Sequence, residues 1–240
     1  MSDKVVVVGG VGDVLGRAIA RRFAREGLVA ALVARNAERL ERIAGEIRTE
    51  GGRAQPFPAD MTRESDVVAL FDAVESRLGA VDAAVYVAAT RVQGAIVDTS
   101  AADFEKAWRL SCFAGFLFAR EAARRMLPRG RGTILFSGAA GSFGGRPRFA
   151  AFDAAKGGLR HLAQSMAHEL GPKGVHVATV LIKGAIESER MRRDYPDRMA
   201  NLAPDDALVP DDIAETYWQI HRQRRSAWSL EADVHPWTEK

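Results

Sequence analysis

The chain has 240 residues, 47% of them apolar, and a formal net charge of +3. That length can bury a substantial core without staples, and the charge is too slight to argue for nucleic acid. Cys112 is the single cysteine, which excludes an intrachain disulfide and any metal site built on several cysteines.

Residues 1–4 run straight into valines, with neither the h-region nor the cleavage site of a signal peptide. No apolar run approaches the ~20 residues that span a bilayer, so a soluble cytoplasmic protein is expected. Residues 4–10 are a short β-branched run ending in glycines, and residues 15–27 have helical periodicity with a glycine stop. Residues 28–36 form the next apolar run, followed by an amphipathic helix over 37–52 that ends at Gly51. Residues 53–60 read as a weaker strand. Pro56 and Pro58 remove ladder donors there, which puts the strand at a sheet edge. Residues 64–79 are helical and 81–89 predict a strand, followed by a long helix over about 101–127. Residues 132–138 predict a strand, about 149–170 a helix closed by Gly171, and 175–182 another strand. The segment 184–210 is long for a loop and carries Met191, Tyr195 and Met199. It reads either as a lid or as a surface helix pair with some core contacts. Residues 210–223 predict a helix whose proline and acids suit its N-terminal end, and 227–235 a last strand.

Nearly continuous apolar strands alternating with helices imply a parallel sheet covered on both faces. Right-handed crossovers then make residues 1–240 a single doubly wound α/β domain of about seven strands flanked by helices.

Residues 5–20 place a strand, a glycine-rich turn and a helix in succession. A phosphate-binding turn needs that context, because it offers bare backbone N–H groups and a helix N-terminus to an anion. The regular G-x-G-x-x-G spacing is absent, since Gly10, Gly12 and Gly16 are spaced differently. Residues 9–16 instead resemble the T-G-x-x-x-G-x-G turn of the short-chain dehydrogenase/reductase family, and the resemblance extends over nearly the whole chain. It implies a Rossmann-like fold and an NAD(P)-dependent oxidoreductase. Gly10 and Gly16 match, Gly9 stands for the threonine, and Val14 stands for the middle glycine. Val14 puts an isopropyl group where backbone would approach a pyrophosphate, and Asp13 adds a negative charge beside it. Both departures point to weaker, displaced or absent cofactor binding.

By the same resemblance, Arg35 lies where the adenosine ribose would sit. An arginine suits a 2′-phosphate, so NADP(H) is favoured over NAD(H) if either binds; the other reading is a solvated arginine at a helix start. Asp60 and Met61 match the family's adenine-contacting turn, with a helix cap as the alternative for Asp60. Ala88, Lys156 and Ile186 complete the implied cofactor positions.

The resemblance also implies a Tyr-x-x-x-Lys pair on the helix after the fifth strand. The tyrosine exchanges the proton, and the lysine lowers its pKa and holds the ribose. A serine binds the substrate oxygen and an asparagine anchors a relay water. Only the lysine remains, as Lys156. Phe152 takes the tyrosine position, Ala139, thirteen residues earlier, the serine position, and Ser111 the asparagine position. Tyr86, Val87, Ala88 and Ala89 stand for the family's Asn-Asn-Ala-Gly, and Lys183 with Gly184 for its Pro-Gly.

These losses together suggest a catalytically silent or very weak subunit. The alternatives are an active NAD(P)(H)-dependent oxidoreductase of a carbonyl or alcohol, with water, Ser142 or Tyr86 as proton donor, and a nucleotide-sensing binding protein. The resemblance implies a homo-oligomer, dimer or tetramer, or pairing with an active paralogue, through the helices at 101–127 and 149–170. The small-molecule substrate is unassigned, and no metal, nucleic-acid or membrane partner is expected. His161, His168, His176, His221 and His235 read as surface or interface histidines. Trp108, Trp218, Trp228 and Trp237 read as core or contact aromatics. Arg146 and Arg148 fall near the expected cleft mouth, where they either attract an acidic or phosphate-bearing substrate or are plain surface arginines.

Overall fold

The computed structural model describes residues 4–194, 196–203 and 205–238. Seven strands, β1 Val5–Gly9, β2 Val29–Ala34, β3 Arg53–Pro58, β4 Val81–Tyr86, β5 Gly132–Ala139, β6 Val175–Ile182 and β7 Glu231–Val234, form one sheet. The order is β3-β2-β1-β4-β5-β6-β7, and every pairing is parallel. The chain reverses direction across the sheet between β1 and β4. A doubly wound sheet opens its ligand crevice beyond the carboxyl ends of the strands at that point. As expected, the two prolines leave β3 at an edge, paired only with β2.

Nine helices are described: α1 Leu15–Arg25, α2 Ala37–Thr49, α3 Glu64–Leu78, α4 Ala101–Trp108, α5 Ala114–Met126, α6 Ala150–Leu170, α7 Glu189–Asp194, α8 Pro196–Ala200 and α9 Pro210–His221. Alternate residues of a strand face opposite sides of the sheet. Accordingly, Val5 and Val7 pack with residues of α3, α5 and α6, while Val6 and Val8 pack with α1, α2 and α9. Burial on both faces is why β1 and β6 are apolar nearly throughout rather than alternating.

The structure corrects two expectations and decides between two readings of a third segment. The helix expected over 101–127 is two helices joined by a π-turn at Arg109–Phe113, which carries Ser111 into the interior. Of the two readings of the segment 184–210, the structure shows the surface helix pair, α7 and α8. Its ends are tied by Leu208 N–H to the Ala185 carbonyl (2.8 Å) and Glu187 N–H to the Leu208 carbonyl (2.9 Å), and Ile186 pairs with Leu208. Tyr195 and the side chain of Met199 lie outside the described residues. Finally, His176 and His221 are not surface histidines. His176 is buried and stacks on Trp228 with ring centroids 4.6 Å apart. His221 hydrogen-bonds Thr133 Oγ1 at 3.0 Å, and burial pushes its pKa down to about 4, so it packs as a neutral ring.

Candidate nucleotide cleft and catalytic positions

The turn after β1 is shaped by close approaches. Gly10 has φ +97°, and a Cβ there would fall 2.5 Å from the Ala88 backbone nitrogen. Only glycine fits both demands. A Cβ at Gly9 would meet Met61 Sδ at 2.9 Å and Phe118 Cε2 at 3.0 Å. Glycine at the family's threonine position is therefore matched to its packing neighbours. Gly16 lies against Val11, whereas Gly12 faces open space.

Gly10 and Val11 donate to the Val33 carbonyl at 2.8 and 3.0 Å. Among the described residues, no protein acceptor meets the N–H groups of Gly12, Asp13, Val14, Leu15 and Gly16. Val14 starts α1 without a side-chain cap. Free N–H groups at a helix N-terminus are what a pyrophosphate requires, so the backbone of this turn suits one, with the Val14 side chain standing at its middle-glycine position. The expected negative charge beside the phosphates is corrected. Asp13 is paired with Arg42 and, at 3.5 Å, with Arg39, so α2 neutralises it.

Arg35 is exposed at the end of β2, close enough to act electrostatically on Asp60. Burial opposes ionisation of Asp60, but hydrogen bonds from Thr62 and the charges of Arg35 and Arg63 outweigh it and hold the carboxyl below its ordinary range. Asp60 accepts from Thr62 N–H (3.0 Å) and Oγ1 (2.7 Å). It does not cap α3, whose N-cap residue is Arg63 with no side-chain cap. Met61 is core, leaving its backbone rather than its side chain for an adenine. Ala88 lies against the glycine turn, while Ile186 packs on the opposite core at its bridge to Leu208.

On α6, Phe152 is half-buried and Lys156 follows one turn later, buried, with Nζ donating to the Ser137 carbonyl at 2.7 Å. Burial lowers the Lys156 pKa to about 8 from its ordinary 10.5. The unfolded chain therefore holds the extra proton between those values, and stability rises with pH across that window. Urea unfolding midpoints are expected to climb from pH 8 to 10 in the wild type, with a flatter profile in Lys156→Met. Parallel profiles would show that Lys156 is not the source.

The remaining hydroxyls are committed or enclosed. Ser142 Oγ, in the turn Ala140–Ser142, accepts from Ala139 N–H at 3.1 Å. Tyr86 is fully buried against Phe118, its hydroxyl donates to the Leu110 carbonyl, and burial raises its pKa. Ser111 Oγ is buried without a partner among the described residues. Ser137 Oγ and Tyr217 Oη hydrogen-bond each other.

Asp153, which sequence reasoning passed over, is the buried acid beside Phe152. It accepts from Arg146 N–H (2.8 Å), Nε (3.2 Å) and Nη2 (2.6 Å). Arg146 lies 4.6 Å from the Phe149 ring centroid and 6.0 Å from that of Phe152. An acid in the first turn of a helix reads as a dipole partner. Nothing in the spacing shows that it clamps the preceding loop. Cavities of about 510 Å³ along β3 and about 340 Å³ at the amino ends of the central strands are lined by neither Phe152 nor Lys156. Among the described residues, no group of three or more His, Cys, Asp or Glu could hold a metal, and no helix is long and apolar enough to cross a membrane.

A doubly wound sheet whose glycine turn leaves N–H groups free at the switch point defines the nucleotide-binding α/β class. A family profile described as short chain dehydrogenase matches residues 4–198, and the chain belongs to that family of oxidoreductases. It is 32% identical over 225 residues to 2-(S)-hydroxypropyl-CoM dehydrogenase 3 of Xanthobacter autotrophicus, covering 90% of this chain and 88% of that protein. A short-chain dehydrogenase structure from Rhodopseudomonas palustris superposes with a TM-score of 0.83 at 36% identity, covering 98% of this chain and 99% of that one. A metagenomic short-chain oxidoreductase in complex with NADP gives 0.83 at 26% identity, with 99% of each chain covered.

Proposed function

We propose that the chain binds a nicotinamide dinucleotide but turns over carbonyl or alcohol substrates very slowly or not at all, acting as a catalytically silent subunit. Phe152 carries this reading. It is a ring without a hydroxyl one turn before Lys156, and neither nearby candidate replaces it. Tyr86 gives its proton to a backbone carbonyl, and Ser142 is seated in the turn after β5. A bound nucleotide supplies the hydride, so the chain must supply the proton or leave a bare alkoxide. General acid assistance is worth about 10²–10⁴-fold.

Arg35 supports NADP(H) over NAD(H), because an exposed guanidinium at the end of β2 suits a 2′-phosphate. The metagenomic relative holds NADP in its solved structure. Self-association, or pairing with an active paralogue, is proposed through α4–α6, where Phe104 and Trp108 are 43% and 42% exposed one turn apart. The unpartnered Ser111 hydroxyl favours a second reading. A buried orphan marks a place for an ordered water, and a water-borne proton would make the protein a slow enzyme.

Titrating the purified chain with NADPH and NADH, and then offering the complex a carbonyl panel, tests both. We expect NADPH to bind more tightly than NADH, no nucleotide oxidation above background, and a sedimentation mass above that of one chain. Turnover at ~1 s⁻¹ or faster on any carbonyl overturns the silent reading. Absent NADPH binding removes the nucleotide reading, and a monomer mass removes self-association.

A further inference from the structure

The cleft mouth beside Phe152 carries positive charge that the protein does not neutralise. Residues 87–95 after β4 and 140–149 after β5 form this mouth, and they are joined by a hydrogen bond from Gly94 N–H to the Arg148 carbonyl at 2.9 Å. Arg146 is neutralised by Asp153. Arg91 and Arg148 are exposed, and neither has a carboxylate within ion-pair distance among the described residues. Several half-buried arginines elsewhere are paired, Arg21 with Asp211, Arg22 with Glu215, Arg120 with Glu64 and Arg160 with Glu231, whereas exposed Arg77, Arg131, Arg222, Arg224 and Arg225 have no such partner among the described residues. The Arg91 and Arg146 guanidiniums lie 4.8 and 4.6 Å from the same Phe149 ring centroid. Asp153 offsets the Arg146 charge at this aromatic wall and leaves that of Arg91 without an acid partner. Arg148 adds an independent sign. Its φ is +68°, a left-handed conformation that a long side chain rarely adopts. Non-glycine residues persist there where the surrounding structure fixes them, and they gather at binding sites.

We propose that Arg91 and Arg148 bind the anionic end, carboxylate or phosphate, of a small molecule in this cleft, with the Arg146–Asp153 pair and Phe149 holding the mouth in shape. The proposal rests on reading the cleft beside Phe152 as a small-molecule site. Guanidinium forks match both anions through paired, charge-assisted hydrogen bonds.

The test titrates the full chain, with and without NADPH, by ligand-observed NMR. The probes are acetoacetate against methyl acetoacetate, and dihydroxyacetone phosphate against dihydroxyacetone. At least one anion is expected to bind about tenfold more tightly than its neutral counterpart, and which one does so identifies the group. Combining Arg91→Ala with Arg148→Gly is expected to remove that preference, and glycine accepts the left-handed backbone, so folding is preserved. Equal or absent binding within both pairs overturns the proposal, as does a preference that survives in the double variant. A chain that ignores NADPH but prefers the anions loses the nucleotide reading and keeps this one. NADPH binding without an anion preference does the reverse.

Discussion

Replacing Phe152 with tyrosine and Ala139 with serine together is expected to raise NADPH-dependent carbonyl reduction by about 10²–10⁴-fold. The reason is local. The Phe152 ring is half-buried at the start of α6, so one added oxygen meets the cleft rather than a packed core. Lys156 lies four residues on, and the Arg146 guanidinium is 6.0 Å from the ring centroid. The Lys156 charge favours the phenolate, which brings the tyrosine pKa toward the working range, while the Arg146 charge is already offset by Asp153. Ala139 ends β5 beside this place, so a serine hydroxyl there can bond a substrate oxygen. Initial rates of NADPH oxidation for the wild type, the two single variants and the double variant measure the effect. Because the hydroxyls act as a unit, the double variant should exceed the product of the singles. An unchanged rate with intact NADPH binding would place the defect elsewhere, with Val14 and Ser111 as the next residues to restore.

What could be read from the sequence follows from the range of the interactions. Apolar runs with glycine stops are local, and they located β1, β2, β4, β5 and β6, while β3 and β7 carry weaker patterns. Prolines at 56 and 58 fixed β3 at an edge because a missing N–H acts within its own ladder. The π-turn at Arg109–Phe113 escaped because one extra residue barely shifts an apolar pattern that continues on both sides. Asp13 looked like a charge aimed at phosphate because its partners, Arg39 and Arg42, arrive from α2, beyond the next strand. His176 sits in an apolar strand, and its burial is decided by Trp228, which lies on a distant loop. In the site, the positions of Phe152 and Lys156 were legible through register. The engagement of Tyr86 and Ser142 was not, because each bonds a backbone group whose place is set by a turn.

The Arg146–Asp153 clasp carries the largest stability effect expected from a single side chain at the mouth. The Asp153 side chain is 4% exposed and its three donors all come from Arg146, whose own side chain is 39% exposed. The two partners are therefore unequal. Arg146→Ala leaves a buried carboxylate with only the backbone N–H of residue 146, and is expected to destabilise the fold by about 3 kcal/mol. Asp153→Ala frees a guanidinium that can turn to water, and is expected to cost about 1 kcal/mol. The double variant should therefore be more stable than Arg146→Ala alone, a sign that additive losses cannot give. Gly141 supplies a further check. A Cβ there would fall 1.8 Å from Asp153 Oδ1, so Gly141→Ala should be disruptive in the wild type and mild once Asp153 is alanine. Urea unfolding midpoints across these variants decide the matter. A wild-type midpoint for Arg146→Ala would mean that water reaches Asp153 and that this pair does not hold the loop over Phe152.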